Sequence, residues 1–369
     1  FGGEKIAKPG TMDTMKSQEM PKVFVALSGG VDSSVAAALL KERGFDVVGA
    51  HMKCWSEGEY CTSERDAEDA RRVAEKLGIP FYVFDLEREY RERVFTYMLA
   101  EYAAGRTPNP DVLCNSEIKF GVFLKKALSL GADFIATGHY ARKDGAKLLM
   151  AVDANKDQSY FLCRLTPAQI SRALFPVGEL TKPEVRVLAK KFGLLTAEKK
   201  DSQGLCFVGD IDFASFMREH LPKKAGDVVT ASGKKIGEHD GVHFYTIGQR
   251  HGLGIGGGMP YYVASKNVET NTLTVAEGAD GPELYVRKIM ATDENWLAGE
   301  APTMPFECEA RIRYRQPVQV CRVEREGATL HIMFNEPQRA ATAGQSVVFY
   351  RATKCSAVPR FNSKIAGFC

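Results

Sequence analysis

The feature that most constrains this chain is the heptad Ser28-Gly29-Gly30-Val31-Asp32-Ser33-Ser34, set between an apolar run and a segment of helical spacing. Residues 22–27 read as a buried strand entering a turn, and residues 33–43 as a helix stopped by Gly44. A strand that passes through two glycines into a helix makes an anion site. The glycines let the backbone approach a phosphate, and the helix start offers unpaired N–H groups and a favourable dipole. Three serine hydroxyls add donors. Asp32 is the odd member, because a carboxylate repels phosphate; a bridging magnesium ion reconciles the two. The chain holds no Gly-x-x-x-x-Gly-Lys-Ser/Thr, which excludes the usual nucleoside triphosphate loop. A bare Gly-Gly turn capped by serines would need no ligand. The whole heptad in a strand-to-helix setting argues for one.

Strand and helix signals keep alternating beyond the loop. Residues 47–52 suit a strand, 66–77 a helix closed by Gly78, and 79–86, 90–104, 118–130 and 133–137 continue the rhythm. This predicts an α/β fold, a doubly wound parallel sheet with helices on both faces. A further helix is expected over 182–192, with Pro183 suited to its first turn. After about residue 207 the character changes. Short β-rich runs at 261–264, 272–275, 310–314, 318–323 and 329–334 are separated by Gly, Pro and Asn turns. They predict a small mixed module over 208–287 and a C-terminal β-barrel over 288–350. A length of 369 residues exceeds one hydrophobic core, in keeping with a catalytic domain at 21–207 and two smaller units. Residues 1–20 are set aside as an N-terminal extension, and the pattern offers no account of the tail at 351–369.

The formal charge of +3 excludes a polyanion field spread over the whole surface, so nucleic-acid binding must come from local basic patches. No apolar run approaches the ~18 residues of a membrane span. The first twenty residues mix acids with lysines and lack both an apolar signal core and arginine, which predicts a cytoplasmic protein. Nine cysteines, an odd count with no C-x(2–4)-C pair, argue against a secreted disulfide framework and against structural zinc. Two of them stand apart. Cys114 follows Pro108-Asn109-Pro110-Asp111, where two prolines predict an irregular loop facing a ligand. Cys206 follows Lys199 and Lys200, whose charge favours the nucleophilic thiolate, and Gly204, which permits close approach. The other seven read as small buried hydrophobes.

The heptad resembles the pyrophosphatase loop of enzymes that split ATP into AMP and pyrophosphate, and the chain is similar to one branch of them, the tRNA-specific 2-thiouridylases. The resemblance continues, in that family's order, through 105–115 (GRTPNPDVLCN), 136–140 (ATGHY), 156–162 (KDQSYFL), 200–207 (KDSQGLCF) and 248–257 (GQRHGLGIGG). It covers residues from about 21 to about 350. It implies an ATP-dependent tRNA-uridine 2-sulfurtransferase. The 2-oxygen of the anticodon wobble uridine attacks the α-phosphate, giving an adenylated base and pyrophosphate. A persulfide on Cys206 then delivers sulfur, AMP leaves, and a Cys114–Cys206 disulfide remains to be reduced. Implied ATP contacts are Ala26, Leu27, Ser28, Gly29, Gly30, Val31, Asp32, Ser33, Met52 and Gly138, and they lie around the carboxyl ends of predicted strands, where open α/β sheets bind ligands. Asn109, Pro110 and Asp111 are implied base contacts. Asp111 would act as general acid or base, with a turn-capping aspartate as the alternative. A loop uracil can be splayed out at modest cost.

Implied RNA contacts are His139, Lys156, Asp157, Gln158, Arg313, Tyr314 and Gln345. The implied partners are tRNA and a persulfide-donating sulfur carrier or cysteine desulfurase. Arg311, Arg313 and Arg315 alternate on a predicted strand around Tyr314. That pattern suits a phosphate-binding face and an ordinary solvated face equally. Residues 252–257 match G-x-G-x-x-G but open no predicted helix, so they read as a loop closing on RNA or on the reactive cysteine. Two other readings stay open. A different ATP pyrophosphatase, adenylating another acceptor, would survive replacement of both cysteines. An iron–sulfur RNA-binding protein using Cys114, Cys206 and a third ligand would show iron and visible absorption.

Overall fold

The computed structural model describes residues 20–56, 63–200, 213–256, 258–351 and 359–362. Its first domain is built on β1 (Lys22–Ala26), α1 (Val31–Glu42), β2 (Asp46–Lys53), α2 (Ser63–Leu77), β3 (Phe81–Asp85) and β4 (Phe134–Ala136). A short last strand, Ala173–Leu174, completes a parallel sheet in the order β3-β2-β1-β4 followed by that strand. The alternation along β1 explains its place. Val23 and Val25 join one apolar layer with α1 and α2, while Phe24 and Ala26 join the layer on the opposite face. A strand apolar on both sides belongs in the middle of a covered parallel sheet.

The chain runs outward from β1 to β2 and β3, then returns to the other side of β1 as β4. Strand order therefore reverses between β1 and β4, and the crevice at their carboxyl ends is the switch point where such sheets take ligands. The heptad leaves β1 there, and Thr137-Gly138-His139-Tyr140 leaves β4 there.

The second module has a four-stranded sheet ordered Tyr261–Asn267, Thr272–Glu277, Gly226–Thr230, Lys235–His239, around its own small core of Val228, Val263, Leu273 and Val275. The third is a closed barrel of Tyr285–Trp296, Thr329–Arg339, Gln319–Glu326, Phe306–Arg311, Ser346–Tyr350 and Pro359–Asn362. Two features differ from expectation. The strand expected at 310–314 ends at Arg311, and a turn follows in which Arg315 has φ +64°. The three arginines therefore do not share one face. Residues 359–362, set aside with the tail, pair with both 285–296 and 346–350 and close the barrel. Without them two strand edges would stand open.

The barrel is fastened to the first domain by a buried ion pair. Arg311 Nη1 donates to Asp157 Oδ2 at 2.8 Å, with side chains 7% and 0% exposed. The Arg311 guanidinium lies 5.1 Å from the Tyr350 ring centroid. Ser159 Oγ donates to Asp157 Oδ2, and the Tyr160 hydroxyl donates to the Ser346 carbonyl at 2.9 Å. Removing one member of such a pair leaves an uncompensated buried charge. Arg311→Met is expected to destabilise the protein by about 3–5 kcal/mol. Urea unfolding followed by intrinsic fluorescence checks this, and a loss below about 1 kcal/mol would reassign the pair as solvent-screened.

Candidate active site

The phosphate loop is organised by its own hydroxyls. The Ser28 N–H donates to Ser33 Oγ at 3.2 Å, and Ser33 Oγ and Ser34 Oγ donate to the Gly30 carbonyl at 3.1 and 2.7 Å. Gly30 is the N-cap of α1 and brings no side chain to its first turn. Two glycines are required by space. A β-carbon on Gly29, at φ +73°, would stand 2.4 Å from the Asp66 carbonyl oxygen. One on Gly138 would stand 2.5 Å from Ser33 N and 2.7 Å from the Asp32 carbonyl carbon. Gly138 thus lies directly against the first turn of α1, and any side chain there would collide with that turn's backbone. Ala26 and Met52 are buried in the apolar layer beneath the loop.

Asp32 is met by protein groups. The Tyr140 hydroxyl donates to Oδ1 at 2.8 Å, and Lys182 Nζ donates to both carboxylate oxygens at 2.7 and 2.8 Å. Lys182 is 9% exposed and opens the helix Lys182–Lys191, whose N-cap Thr181 forms a capping box with Glu184. The capping box is legible in Thr181-Lys182-Pro183-Glu184; the partner 150 residues away is not. Lys182 is the candidate site residue that sequence reasoning missed. The donor set suits a nucleoside triphosphate, with hydroxyls, a helix start and one lysine for phosphate oxygens. It suits magnesium in the manner typical of that ion, through one carboxylate plus substrate phosphates rather than a protein cage. Among the described residues no three His, Cys, Asp or Glu side chains are gathered for a metal.

Lys199 corrects another expectation. Its ammonium donates to Asp66 Oδ1 at 2.8 Å, Asp69 Oδ2 at 2.6 Å and the Gly29 carbonyl at 3.1 Å. Its charge is neutralised by two carboxylates of α2, so it is not an electrostatic source for a thiolate. It ties the chain ahead of Cys206 to the phosphate loop instead. Cys206 itself lies outside the described residues. His51 is 3% exposed, with Nδ1 2.9 Å from the Leu27 carbonyl, so Nδ1 carries the proton and burial pushes its pKa down.

Cys114 is placed differently from expectation. Asn109 caps a helical turn at Pro110–Leu113, its Oδ1 accepting from Val112 N–H at 3.4 Å, and Pro110 sits at the first helical position. Helix then runs on as the π-helix Cys114–Phe123. The irregular loop ends at Asn109, because Asn-Pro is a helix start. Cys114 is 0% exposed and shares the apolar layer of Ala26 and Met52. Asp111 lies in the first turn and is half-buried.

The expected RNA contacts divide. His139 Nδ1 is 2.8 Å from Thr137 Oγ1, and burial, with Lys119 nearby, holds its pKa well below the usual value. It is a neutral hydrogen-bonding group rather than a phosphate cation. Gln158 is locked to Tyr140, its Oε1 accepting from Tyr140 N–H at 2.9 Å and its N–H donating to the Tyr140 carbonyl at 2.8 Å. Lys156 is half-buried beside them. Asp157 is 2% exposed and is bound to Arg311, which leaves its carboxylate no face toward RNA. Arg313 is exposed and donates to the Ala340 carbonyl at 3.0 Å. The Tyr314 ring is 4.4 Å from the Phe161 ring, with the Arg315 guanidinium above it at 5.2 Å. Gln345 Nε2 donates to the Thr107 carbonyl at 2.8 Å. Residues 252–256 start no helix, as expected, and Gly257 lies outside the described residues.

Comparison with known proteins agrees with this geometry. The family description "tRNA methyl transferase HUP domain" matches residues 21–210, "tRNA methyl transferase PRC-barrel domain" residues 214–277, and "Aminomethyltransferase beta-barrel domain" residues 286–356. Among full-length relatives, the tRNA-specific 2-thiouridylase MnmA of Alkaliphilus oremlandii is 50% identical over 92% of this chain and 96% of its own. MnmA 2 of Geobacillus kaustophilus is 51% identical over 92% and 94%. The Shouchella clausii protein is 51% identical over 92% and 96%.

Proposed function

The chain belongs to the tRNA-specific 2-thiouridylase family, and we propose that the crevice between β1 and β4 is where it activates a tRNA uridine and where Cys114 meets sulfur carried by Cys206. The protein is an ATP-dependent tRNA-uridine 2-sulfurtransferase, and its substrates are ATP and tRNA. The observation that carries the site assignment is Gly138 lying on Asp32 and Ser33 at the switch point.

The α1 start and the serine hydroxyls orient the phosphates, and Lys182 supplies a cation at their edge. Magnesium, when bound, supplies charge neutralisation on the phosphates beside Asp32. The uridine 2-oxygen attacks the α-phosphate and pyrophosphate departs. Asn109 and Pro110 hold the uracil, and Asp111 moves its proton. The outer sulfur of the Cys206 persulfide bonds to C2; the Cys114 thiolate attacks Cys206 Sγ and breaks its bond to that sulfur, whose electron pair forms the thiocarbonyl as AMP leaves with the former 2-oxygen. A thiol reductant then restores both thiols. The target is the wobble uridine, the sulfur arrives from a persulfide-bearing protein, and the reaction runs in the cytoplasm. No helix among the described residues is long and apolar enough to cross a membrane.

Purified protein with tRNA, ATP and a protein persulfide should yield 2-thiouridine on nucleoside analysis, and its absence would overturn the reading. Arg313, an exposed residue whose guanidinium also donates to the Ala340 carbonyl, is assigned to RNA binding. Arg313→Ala should reduce the slope of log K against log salt by about one unit if it meets a phosphate. Filter binding between low and moderate salt measures this, and an unchanged slope returns Arg313 to a role confined to the Ala340 carbonyl.

A further inference from the structure

The chain just ahead of the base contacts is held by the other two domains as well as by its own. Both backbone polar groups of Thr107 are taken by the barrel. Its N–H donates to the Ala343 carbonyl at 2.8 Å, and its carbonyl accepts from Gln345 Nε2 at 2.8 Å. Between these two residues lies Gly344, at φ +94°, where a β-carbon would stand 2.9 Å from the Thr107 carbonyl carbon and oxygen. Barrel backbone therefore packs directly on Thr107, which is 8% exposed. The middle module closes on the same place. Thr246 Oγ1 is 3.4 Å from Thr107 Oγ1, and Val268 Cγ2 occupies the space that a side chain on Gly105 would need. All three domains meet on this one residue, just ahead of the Asn109 cap and Asp111.

We propose that the barrel corner at 340–345 is a strap that positions the uridine-handling segment, and that Gln345 is a positioning residue acting through Thr107. Its effect then falls on the rate of the reaction at saturating tRNA rather than on RNA affinity. The helical turn at Pro110–Leu113 opens the longer helix that runs on through Cys114–Phe123, so the strap acts on the chain that feeds into this helix start. The corner is itself seated on other elements. Arg313 donates to the Ala340 carbonyl, and Gly248 lies so close to Ala340 that a β-carbon would be 2.7 Å from its methyl. A misplacement of about 1 Å near reacting groups can cost on the order of a hundredfold in rate, so a strap with no contact to the chemistry can still govern it.

The inference rests on the thiouridylase reading, and its test separates the two. Gln345→Met keeps the length of the side chain and loses the donor. In the full-length protein kcat for 2-thiouridine formation should fall about tenfold or more, with KM for tRNA within about threefold of wild type. Gln345→Lys restores a donor and should recover most of the lost kcat. Gly344→Ala leaves Gln345 in place, pushes on Thr107, and should reproduce the kcat loss. A Gln345→Met kcat within about twofold of wild type overturns the proposal whether or not KM rises, and a rise in KM alone makes Gln345 an RNA contact. Amide hydrogen exchange over 107–113 gives a readout independent of turnover. It should quicken in Gln345→Met while exchange in β1 and β2 stays unchanged, and an unchanged rate over 107–113 overturns the strap even where wild type makes no 2-thiouridine.

Discussion

Cys206→Ser should still release pyrophosphate in a tRNA-dependent single turnover, yet form no 2-thiouridine from a protein persulfide. ATP activation needs the phosphate loop and a positioned uridine. Sulfur transfer needs a thiol that can hold a second sulfur, which a hydroxyl cannot. Cys114→Ser should lower 2-thiouridine yield by about three orders of magnitude or more, as expected for loss of a covalent participant. It should let the persulfide accumulate on Cys206, visible as one added sulfur by intact mass spectrometry. It should also abolish the disulfide after turnover. The burial of Cys114 sharpens this expectation. A thiol at 0% exposure is no general scavenger of persulfide, so its reaction should depend on bound tRNA. Normal 2-thiouridine from Cys206→Ser, with sulfur supplied only as protein persulfide, would sink the relay and leave the ATP site standing.

The second large effect is expected at the Asp32–Lys182 pair. Lys182→Met should slow pyrophosphate release by about a hundredfold or more, the scale for losing one preorganised charge at a site of developing negative charge. Asp32→Asn should do the same from the opposite direction, by removing the carboxylate available to magnesium. A purely structural pair would behave otherwise. Its single variants would leave one partner unmatched, and the double variant, in which both charges are gone, would recover activity. The double variant is expected to stay as slow as the slower single variant. Recovery to near the wild-type rate would reassign Lys182 and Asp32 to holding α1 against the helix Lys182–Lys191. The ion pair is partly open on the Asp32 side, where the side chain is 31% exposed, so the stability cost of either single variant should be modest.

The relation between Lys199 and the phosphate loop bears on both results. A cation that bridges the Gly29 carbonyl, Asp66 and Asp69 fixes Lys199 to the loop ahead of α1 and to α2.

The glycine-rich strand-to-helix turn, the parallel sheet and the α/β-then-β fold class were legible because they depend on local signals. A heptad between a strand and a helix carries its own geometry: the two glycines and the helix start act within a few residues of one another. Alternating apolar runs of strand and helix length leave few topologies open. The Asn-Pro helix start ahead of Cys114 was equally local, and reading the prolines as loop formers overlooked the capping role of Asn109. What the tertiary structure decided is where side chains distant in sequence meet. Asp157 and Gln345 look like ordinary polar residues in the chain. Only folding brings Asp157 onto Arg311 and Gln345 onto Thr107, so that both contacts join the barrel to the first domain. Lys182 likewise meets Asp32 only when its helix start is laid against α1. The barrel's closure by 359–362 belongs to the same class, because a four-residue strand has too little pattern to announce itself until two open edges are waiting for it. Contacts between partners a hundred or more residues apart leave no period or spacing in a single sequence, whereas turns, caps and amphipathic faces do.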